Sequence, residues 1–311
     1  MGKYKYNPEL TEPGIGIDIS NDGPLMRLYI AWNKLFNNMM SNVWKTPEKV
    51  KKSKIDISVR DGAQIRGWLL EPEEGDESLP VMLYCHGGAF FLPILPLSLT
   101  IAAYYVQKLG CRVVMPQYRL APKHPFPIPL NDCYDTLAYL INQKEAWKLD
   151  LNRLIIYGDS AGGCLATEVM HRCRNSALAK PKGQMLIYPV TDCAGHYPSL
   201  TEYQFAPWSK KANENMWKLY LHLPWVGDIA EVIPMEQENF EDFPLTYVEV
   251  AEIDVLRDQG IAYAEKMRQG GVEVLSETIP GAFHGFDGES NSPLVQRVMD
   301  RRIEILRQML G

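Results

Sequence analysis

The chain has 311 residues, 46% of them hydrophobic, and carries a formal net charge of −6 at pH 7. This hydrophobic content excludes a disordered chain, and the length suits one large α/β domain with an accessory part. Because no long basic block accompanies the negative charge, the composition argues against nucleic acid as a partner.

The N-terminal region lacks the apolar core of a secretory signal peptide. In residues 24–44, apolar side chains recur at helical spacing after Asp22 and Pro24, which predicts an amphipathic helix. The apolar positions are Leu25, Leu28, Trp32, Leu35, Phe36, Met39 and Val43. We expect this face to pack into a core. The alternatives are a lid that covers a pocket and the contact face of a homodimer.

The following segments alternate between strand and helix patterns. Residues 54–70 alternate apolar and polar side chains around Asp61-Gly62, which predicts a β-hairpin. Dense apolar runs, typical of buried parallel strands, lie at 81–85, 112–115, 154–157, 185–188, 245–250 and 272–279. Helical patterns lie at 98–109, 130–142, 161–174, 259–269 and 293–310. This order predicts an α/β fold, in which helices flank a mostly parallel eight-stranded sheet with an antiparallel edge.

Two segments do not have the pattern of a single strand or helix. The longest uncharged run, 87–107, has the length of a membrane span, but Pro93 and Pro96 interrupt it early, so we expect a buried loop that leads into a helix. Residues 191–242 interrupt the strand–helix alternation and carry large apolar side chains, for which core packing, a lid or a dimer face are the alternatives. These side chains are Trp208, Met216, Trp217, Tyr220 and Trp225.

The cysteine pattern gives little support to a metal site or a disulfide framework. The six cysteines, at positions 85, 111, 133, 164, 173 and 193, form no C-x-x-C pair. Most lie in or beside apolar stretches, where a reduced cysteine acts as a small hydrophobic side chain. We therefore expect a cytoplasmic protein without a bound metal.

Residues 158–162, with the sequence GDSAG, match the pattern G-x-S-x-G between a predicted strand and a predicted helix. Such a tight turn strains its central residue and leaves no room for side chains beside it, hence the flanking glycines. It exposes the serine hydroxyl near a helix N-terminus. The context predicts Ser160 as a nucleophile, although the pattern alone also occurs in ordinary turns.

A serine nucleophile needs a base to remove its proton. His284 directly follows the last predicted strand, between Gly281 and Gly285, and is therefore the predicted base; the alternative is a histidine in a surface loop. His171 lies three turns along the helix after Ser160, too far to reach it. The other weaker candidates, which lack a comparable strand-end position, are His124, His196 and His222.

The base in turn needs a carboxylate that orients it. Asp254 follows the seventh predicted strand, which gives the chain order serine, acid, histidine. The rival carboxylates are Glu252, Asp258 and Asp192, of which Asp258 is expected to cap the next helix.

Backbone N–H groups for an oxyanion are predicted in the stretch HGGAF, residues 86–90, after the third strand. We expect Gly88 and Ala89 to donate there together with Ala161, while Gly87 supports the turn. We expect His86 to shape this loop and to take no part in proton transfer.

Together these stretches resemble the hormone-sensitive-lipase-like family of α/β-hydrolases, which includes bacterial carboxylesterases and arylacetamide deacetylases. The resemblance covers about residues 55–310 and rests on HGGAF (86–90), YRLAPKHPFP (118–127), GDSAGG (158–163), DVLRDQG (254–260) and FHGF (283–286). It implies an α/β-hydrolase fold, a triad of Ser160, Asp254 and His284, and no metal or other cofactor. Ala89 departs from the family, which usually has glycine there.

The resemblance also implies a cap over the active site. Residues 1–50 and 191–242 would form this cap, and residues 51–190 and 243–311 the catalytic domain. Aromatic residues predicted to line the substrate pocket are Trp32, Phe36, Phe90, Trp208 and Phe286.

The expected function is a serine carboxylesterase that hydrolyses small, short-chain esters, such as acetyl esters, through an acyl-enzyme. One alternative is a ligand-binding homologue without activity, because fold alone does not determine function. Another is an amidase, lactonase or carbohydrate deacetylase that uses the same triad. Expected partners are the small-molecule ester and a second copy of the chain in a homodimer, with no integral membrane span.

Overall fold

An eight-stranded β-sheet forms the centre of the computed structural model, which describes residues 4–13, 23–74, 77–174, 176, 178, 180–193, 196–203, 207–222 and 231–311. The strands are β1 (Val50–Ser58), β2 (Gln64–Pro72), β3 (Leu79–Cys85), β4 (Arg112–Pro116), β5 (Leu149–Asp159), β6 (Gly183–Ile187), β7 (Leu245–Ile253) and β8 (Val274–Phe283). The helices are α1 (Pro24–Val43), α2 (Pro96–Leu109), α3 (Ile128–Asn142), α4 (Ala161–Arg174), α5 (Pro198–Glu202), α6 (Lys210–Leu221), α7 (Arg257–Gln269) and α8 (Pro293–Leu310).

The strands follow the order β1-β2-β4-β3-β5-β6-β7-β8 across the sheet. Strand β2 pairs antiparallel with β1 and β4, whereas the other neighbours pair in parallel. The predicted α/β fold with eight strands is therefore confirmed, and the predicted hairpin forms its antiparallel edge. Because β5, β7 and β8 run in parallel, the residues that follow them lie at the same edge of the sheet.

Apolar layers cover both faces of the sheet. Along β3, Met82 and Tyr84 point into a layer with α2 and α8, while Leu83 and Cys85 point into a layer with α3, α4 and α7. This alternation follows from the two-residue period of a strand. Because both faces are covered, the central strands are apolar along their length, as their sequence pattern predicted.

Helix α1 forms where predicted, but one of its apolar faces is exposed to solvent. The side chains of this α1 apolar face, which are 42% to 68% exposed, are Leu28, Trp32, Leu35, Phe36, Met39 and Val43. The helix is anchored by other residues: Ser41 donates a hydrogen bond to the carbonyl of Ile94, and Lys34 donates to that of Ala121. The prediction that this face packs into a core is therefore wrong. Leu25 lies outside the side chains that the structure describes.

Residues 191–242, between β6 and β7, depart from the strand–helix alternation as expected. The buried side chains of α6 include Met216, Trp217 and Tyr220, so core packing is confirmed for these three. The ring of Tyr220 stacks on that of Phe90 with 3.7 Å between centroids, which ties α6 to the loop after β3. Trp225 lies outside the described residues.

The uncharged run at residues 87–107 divides into a loop and helix α2, in which Pro96 takes the first helical position. Of the helices that the structure describes, none combines the length and the apolar character needed to cross a bilayer. The six cysteines are free thiols, and five of them are buried.

A buried ion-pair network links α8 to the edge of the sheet where the strands end. The guanidinium of Arg302 contacts the carboxylates of Glu249 in β7 and of Asp287, and the three side chains are fully buried. Asp287 also accepts a hydrogen bond of 2.7 Å from the hydroxyl of Tyr188. Burial lowers the pKa of Arg302, but the nearby charges, Glu249 first, outweigh it and raise the pKa. The network fixes the chain three residues beyond His284.

Candidate active site

Ser160 occupies the turn between β5 and α4. Its φ of +54° lies in the left-handed region, which non-glycine residues adopt only under strain. The N–H of Ser160 donates to the carbonyl of Ile187, and the carbonyl of Ser160 accepts from the N–H groups of Gly163 and Val190. The tight turn predicted from the sequence therefore forms, and it places Ser160 in the wall of a cavity.

The glycines around Ser160 allow three backbone segments to approach closely. A β-carbon at Gly162 would overlap the carbonyl of Cys85 in β3, and one at Gly158 would overlap the carbonyl of Gly162. A β-carbon at Gly163 would lie 2.6 Å from Cβ of Pro189. Helix α4 therefore begins in direct contact with β3 and with the segment after β6, and these positions accept only glycine.

His284 directly follows β8, and its imidazole reaches Ser160 across the edge of the sheet. Nε2 of His284 lies 2.9 Å from Oγ of Ser160, which is hydrogen-bond distance. Gly285 then adopts a φ of +77°, and the chain turns into the short 3₁₀ helix Phe286–Gly288.

Asp254 directly follows β7, and its side chain is fully buried. Its Oδ2 lies 2.7 Å from Nδ1 of His284, and its Oδ1 accepts a hydrogen bond of 3.0 Å from the N–H of Leu256. The structure thus brings together Ser160, His284 and Asp254 in one hydrogen-bonded chain.

The rival carboxylates contact other groups. Glu252, Asp192 and Asp258 accept hydrogen bonds from Gly281, Tyr197 and Ser199, respectively. Asp258 was expected to cap the helix after Asp254, but α7 already begins at Arg257, so Asp258 lies inside its first turn. Its carboxylate instead binds a free N–H at the start of α5, and the expected cap is therefore wrong.

Two opposing effects set the pKa of His284. Burial lowers this pKa, but the charge and the hydrogen bond of Asp254 more than compensate, so the pKa is raised above its ordinary value of 6.5. The carboxylates of Asp159 and Asp287 add smaller effects of the same sign. A raised pKa favours the imidazolium, the form that the ring takes after it accepts a proton.

The loop after β3 brings unpaired backbone donors to Ser160. Gly88 and Ala89 line the same cavity as Ser160. Within the described part of the chain, no backbone group accepts a hydrogen bond from the N–H of Gly88, Ala89 or Ala161. The φ of Gly88 is +116°, and that of Ala89 is +54°, so the alanine occupies a conformation that favours glycine.

His86 and Gly87 shape this loop. The imidazole of His86 is fully buried and stacks on the ring of Tyr118 with 4.2 Å between centroids. Burial lowers the pKa of His86 to about 4, so the ring is neutral near pH 7. A β-carbon at Gly87 would overlap the carboxylate of Asp159, which explains the glycine at that position.

Asp159, directly before Ser160, is an ionisable group that the sequence analysis did not single out. Its side chain lines the cavity, and among the described residues its Oδ1 has no hydrogen-bond partner. Burial, followed by the charge of Asp287, raises the pKa of Asp159 to about 7. This carboxyl group is therefore partly protonated near neutral pH.

The cavity at Ser160 has a volume of about 270 Å³. Its apolar wall consists of Phe91, Leu92, Leu95, Leu97, Ile101 and Pro207. Tyr29 of α1, Tyr188 and Trp208 add aromatic surface, and Ser98 adds a hydroxyl. The site is therefore a small, largely apolar cavity, open to solvent, with the reactive groups in its wall.

Of the five aromatic residues predicted to line the pocket, Trp208 does so. Phe90 is fully buried beneath the loop, because its φ of +62° directs the ring onto Tyr220 of α6. Phe286 is fully buried in the apolar layer with α2 and α8. The structure thus corrects the predictions for Phe90 and Phe286.

The remaining two predicted pocket residues, Trp32 and Phe36, lie on the α1 apolar face. Their rings stack on each other with 6.3 Å between centroids, and both are exposed. Tyr29, one turn earlier, is the residue of α1 that lines the cavity. The sequence therefore identified the correct helix but the wrong side of it.

Tyr188 is a cavity residue that the sequence analysis missed. It directly follows β6, and strand ends at this edge of a parallel sheet are where ligand sites form, so this signal was available. Its φ of +34° departs from strand geometry, and its ring lies 4.7 Å from that of His284.

Comparison with known proteins places the chain among hydrolases. A family model described as the alpha/beta hydrolase fold matches residues 82–288. An ethyl acetate hydrolase of Pseudomonas putida is 33% identical over 239 residues, which cover 75% of this chain and 75% of that protein. Esterase LipI of Mycobacterium tuberculosis is 32% identical over 238 residues, which cover 74% and 73%, respectively.

The structure is also similar to solved esterase structures. That of a bacterial heroin esterase matches with a TM-score of 0.84 at 27% sequence identity, and the match covers 96% of this chain and 94% of that one.

Proposed function

Since this chain belongs to the α/β-hydrolase family, in its hormone-sensitive-lipase-like branch, and is a carboxylic ester hydrolase, we propose that it cleaves esters through an acyl-enzyme formed on Ser160. The observation that carries this proposal is the hydrogen-bonded chain from Oγ of Ser160 through His284 to Asp254. No other serine–histidine pair among the described residues lies within hydrogen-bond distance.

In the first half-reaction, Nε2 of His284 accepts the proton of Ser160 as Oγ attacks the carbonyl carbon of the ester. The carbonyl electrons move onto oxygen, and the tetrahedral intermediate then expels the alcohol, which takes its proton from His284. In the second half-reaction, His284 removes a proton from water, which attacks the acyl group. The acid leaves, and Oγ of Ser160 regains its proton.

Asp254 fixes the tautomer of His284 that these reaction steps require. With Nδ1–H of His284 donating to Oδ2 of Asp254, the lone pair of Nε2 faces Oγ of Ser160. The carboxylate also stabilises the imidazolium formed during attack, in line with the raised pKa of His284.

The oxyanion binds to the N–H groups of Gly88, Ala89 and Ala161, which lack other acceptors in the described structure. A preorganised donor of this kind contributes about 3 kcal/mol to transition-state stabilisation. The strained φ of Ala89 is consistent with a backbone held for this purpose.

The cavity volume favours small substrates with short acyl chains, such as acetyl esters.

We assign a cap to residues 1–50 and 191–242, because Tyr29 and Trp208 reach the cavity from these segments. Residues 51–190 and 243–311 then form the catalytic domain. The free cysteines fit a reducing compartment such as the cytoplasm.

The proposal is tested with p-nitrophenyl esters from acetate to palmitate and with an active-site phosphonate, followed by peptide mass spectrometry. We expect the highest kcat/KM for the short esters and the label on Ser160. Ser160→Ala should abolish both, whereas Ser58→Ala, at an exposed strand end, should retain both. A label on another residue, or turnover by Ser160→Ala, would refute the assignment.

A further inference from the structure

The N-terminus of α2 opens into the cavity that holds Ser160. Leu97 and Ser98, in the first turn of this 14-residue helix, both line the cavity. The first N–H groups of a helix have no acceptor within it. Here the first backbone bond runs from Leu99 to Leu95, and in the described structure no backbone group accepts from Leu97 or Ser98.

The hydroxyl of Ser98 is a second, independent polar group at the same place. Ser98 is only 5% exposed, and its side chain has no hydrogen-bond partner among the described residues. The carbonyl of Ile94, four residues before Ser98 in the chain, accepts a hydrogen bond from the hydroxyl of Ser41. Because Ser98 lines the cavity, its hydroxyl is available to donate to a ligand atom there.

The N–H groups of Leu97 and Ser98 and the hydroxyl of Ser98 are donors, and their surroundings favour an acceptor oxygen without charge. The helix dipole at this position favours a negative group. However, the carboxyl of Asp159 lines the same cavity, and among the described lining residues there is no lysine or arginine to balance an anion. A carbonyl or ether oxygen satisfies the donors without repulsion from Asp159.

We propose that Ser98 and the first turn of α2 form a specificity subsite for a second, neutral acceptor oxygen of the substrate. The inference rests on the proposed ester hydrolysis at Ser160 and narrows its substrate class. Preferred substrates are small esters that carry a ketone, a second ester or an ether oxygen in the acyl or the alcohol part. The unpaired N–H groups of Gly88 and Ala89, in the same cavity, are assigned to the oxyanion and so leave the second oxygen to Ser98.

The test compares esters that differ in one oxygen. Ethyl levulinate is paired with ethyl isocaproate for the acyl side, and acetonyl butyrate with isobutyl butyrate for the alcohol side, with acid release followed by pH-stat titration. In at least one pair, we expect kcat/KM of the wild type to favour the oxo ester by about 10-fold. Ser98→Ala should reduce this ratio by about 5-fold.

Ser98→Thr, which keeps the hydroxyl, should retain the preference, and Ser58→Ala serves as the control for an exposed serine. A ratio that is the same in the wild type and in Ser98→Ala overturns the subsite. So does the absence of a preference in both pairs, or failure to hydrolyse the four esters while p-nitrophenyl butyrate is hydrolysed. Failure with every ester, including p-nitrophenyl butyrate, would instead refute the proposed function.

A different observation concerns the α1 apolar face. Its six side chains recur every three or four residues from Leu28 to Val43, along about 22 Å of helix. Trp32 and Leu35 are 62% and 68% exposed. At such exposures the face offers on the order of 600 Å² of apolar surface, the upper end for a patch on a monomer.

Charge and area favour a second copy of the chain as the occupant of this face. Helices that bind anionic lipid carry many cations on their polar side. Helix α1 has only Arg27 and Lys34, and the ammonium of Lys34 is bound to the carbonyl of Ala121. The exposed area approaches the ~800 Å² that each partner contributes to a standard interface. We infer that two α1 helices pack against each other in a symmetric dimer.

Sedimentation equilibrium tests this dimer. We expect the wild type to have twice the mass of one chain, and the double variant Trp32→Ser, Leu35→Ser to have the mass of one chain. Ile261→Ser, which removes another exposed apolar side chain, should remain dimeric. A monomeric wild type overturns the inference, as does a dimeric double variant; flotation of a monomeric wild type with anionic vesicles would identify lipid as the occupant.

Discussion

The indole of Trp208 lies 6.0 Å from the imidazole of His284, with the two ring planes 29° apart. Tyr188 contacts the same imidazole at 4.7 Å and at a steeper angle of 58°. The indole of Trp208 comes from the region between β6 and β7, and Tyr188 directly follows β6. The proposed base is therefore held by aromatic contacts as well as by Asp254.

Replacement of Trp208 by alanine should enlarge the cavity at Ser160 and allow the imidazole of His284 to move. We expect kcat/KM for p-nitrophenyl acetate to fall by about 10-fold, because small displacements at the reacting atoms are costly. The optimum acyl length should shift to longer chains, which a series of p-nitrophenyl esters will measure. An unchanged chain-length profile would contradict the placement of Trp208 in the cavity wall.

Asp254→Asn should reduce kcat by about 10⁴-fold, because the amide favours the wrong tautomer of His284. The measurement is steady-state hydrolysis of p-nitrophenyl acetate, with circular dichroism to establish that the variant is folded. The matched control is Asp258→Asn, only four residues away, whose carboxylate binds Ser199 at the start of α5. Similar losses in the two variants would argue against Asp254 as the partner of His284.

The pH dependence of kcat/KM should report the raised pKa of His284. In the proposed mechanism the neutral imidazole is the base, so activity is present above this pKa and is lost as the pH falls through it. Because the pKa is raised, the midpoint of the acidic limb should lie above 6.5. In Asp254→Asn the largest raising effect is absent, and the midpoint of the residual activity should shift to lower pH. A wild-type midpoint below 6.5 would contradict this account.

Gly88→Ala keeps the backbone N–H but should displace it from the oxyanion, and we expect kcat to fall by up to about 10²- to 10³-fold, the effect of one lost donor. At its φ of +116° an alanine is strained, and its β-carbon would lie 2.9 Å from Cβ of Leu92. Gly110→Ala is the matched control, because that glycine also has a positive φ but has no atom within 4 Å of a built β-carbon. We expect it to cost about 1 kcal/mol of unfolding free energy and to leave kcat unaffected.

Arg302→Met should reduce the free energy of unfolding by about 3–5 kcal/mol, because it leaves Glu249 and Asp287 buried without a cation. The neighbouring Arg301, 47% exposed, forms surface pairs with Glu277 and Glu304. Arg301→Met should therefore cost less than about 1 kcal/mol. Urea unfolding measures the loss of unfolding free energy in both variants. Equal losses would show that the buried network contributes no more to stability than the surface pairs.

The sequence predicted the order of strands and helices along the chain and the strand ends that carry Ser160, Asp254 and His284. These signals are strong because each is local: an apolar run stops, and a small or polar residue follows at once. The strand boundaries were predicted less accurately: β5 begins at Leu149, five residues before its apolar run. There its first residues pair with β3 across a register shift, a long-range contact that has no local signature.

The pocket was predicted poorly because the direction of a side chain depends on backbone angles that composition does not reveal. Phe90 is adjacent to the loop donors in sequence, yet its positive φ turns the ring away from the cavity. For α1, the spacing of apolar residues gave the helix, but a regular stripe looks the same whether protein or solvent covers it. Tyr29 faces the cavity without belonging to that stripe.

The buried cation of α8 has a consequence for synthesis of the protein. Arg302 belongs to α8, whereas Glu249 and Asp287 precede it in the chain. During synthesis these two acids are therefore made before their counter-charge. We expect a nascent chain to become active as an ester hydrolase only after α8 has left the ribosome, even though Ser160 is translated earlier.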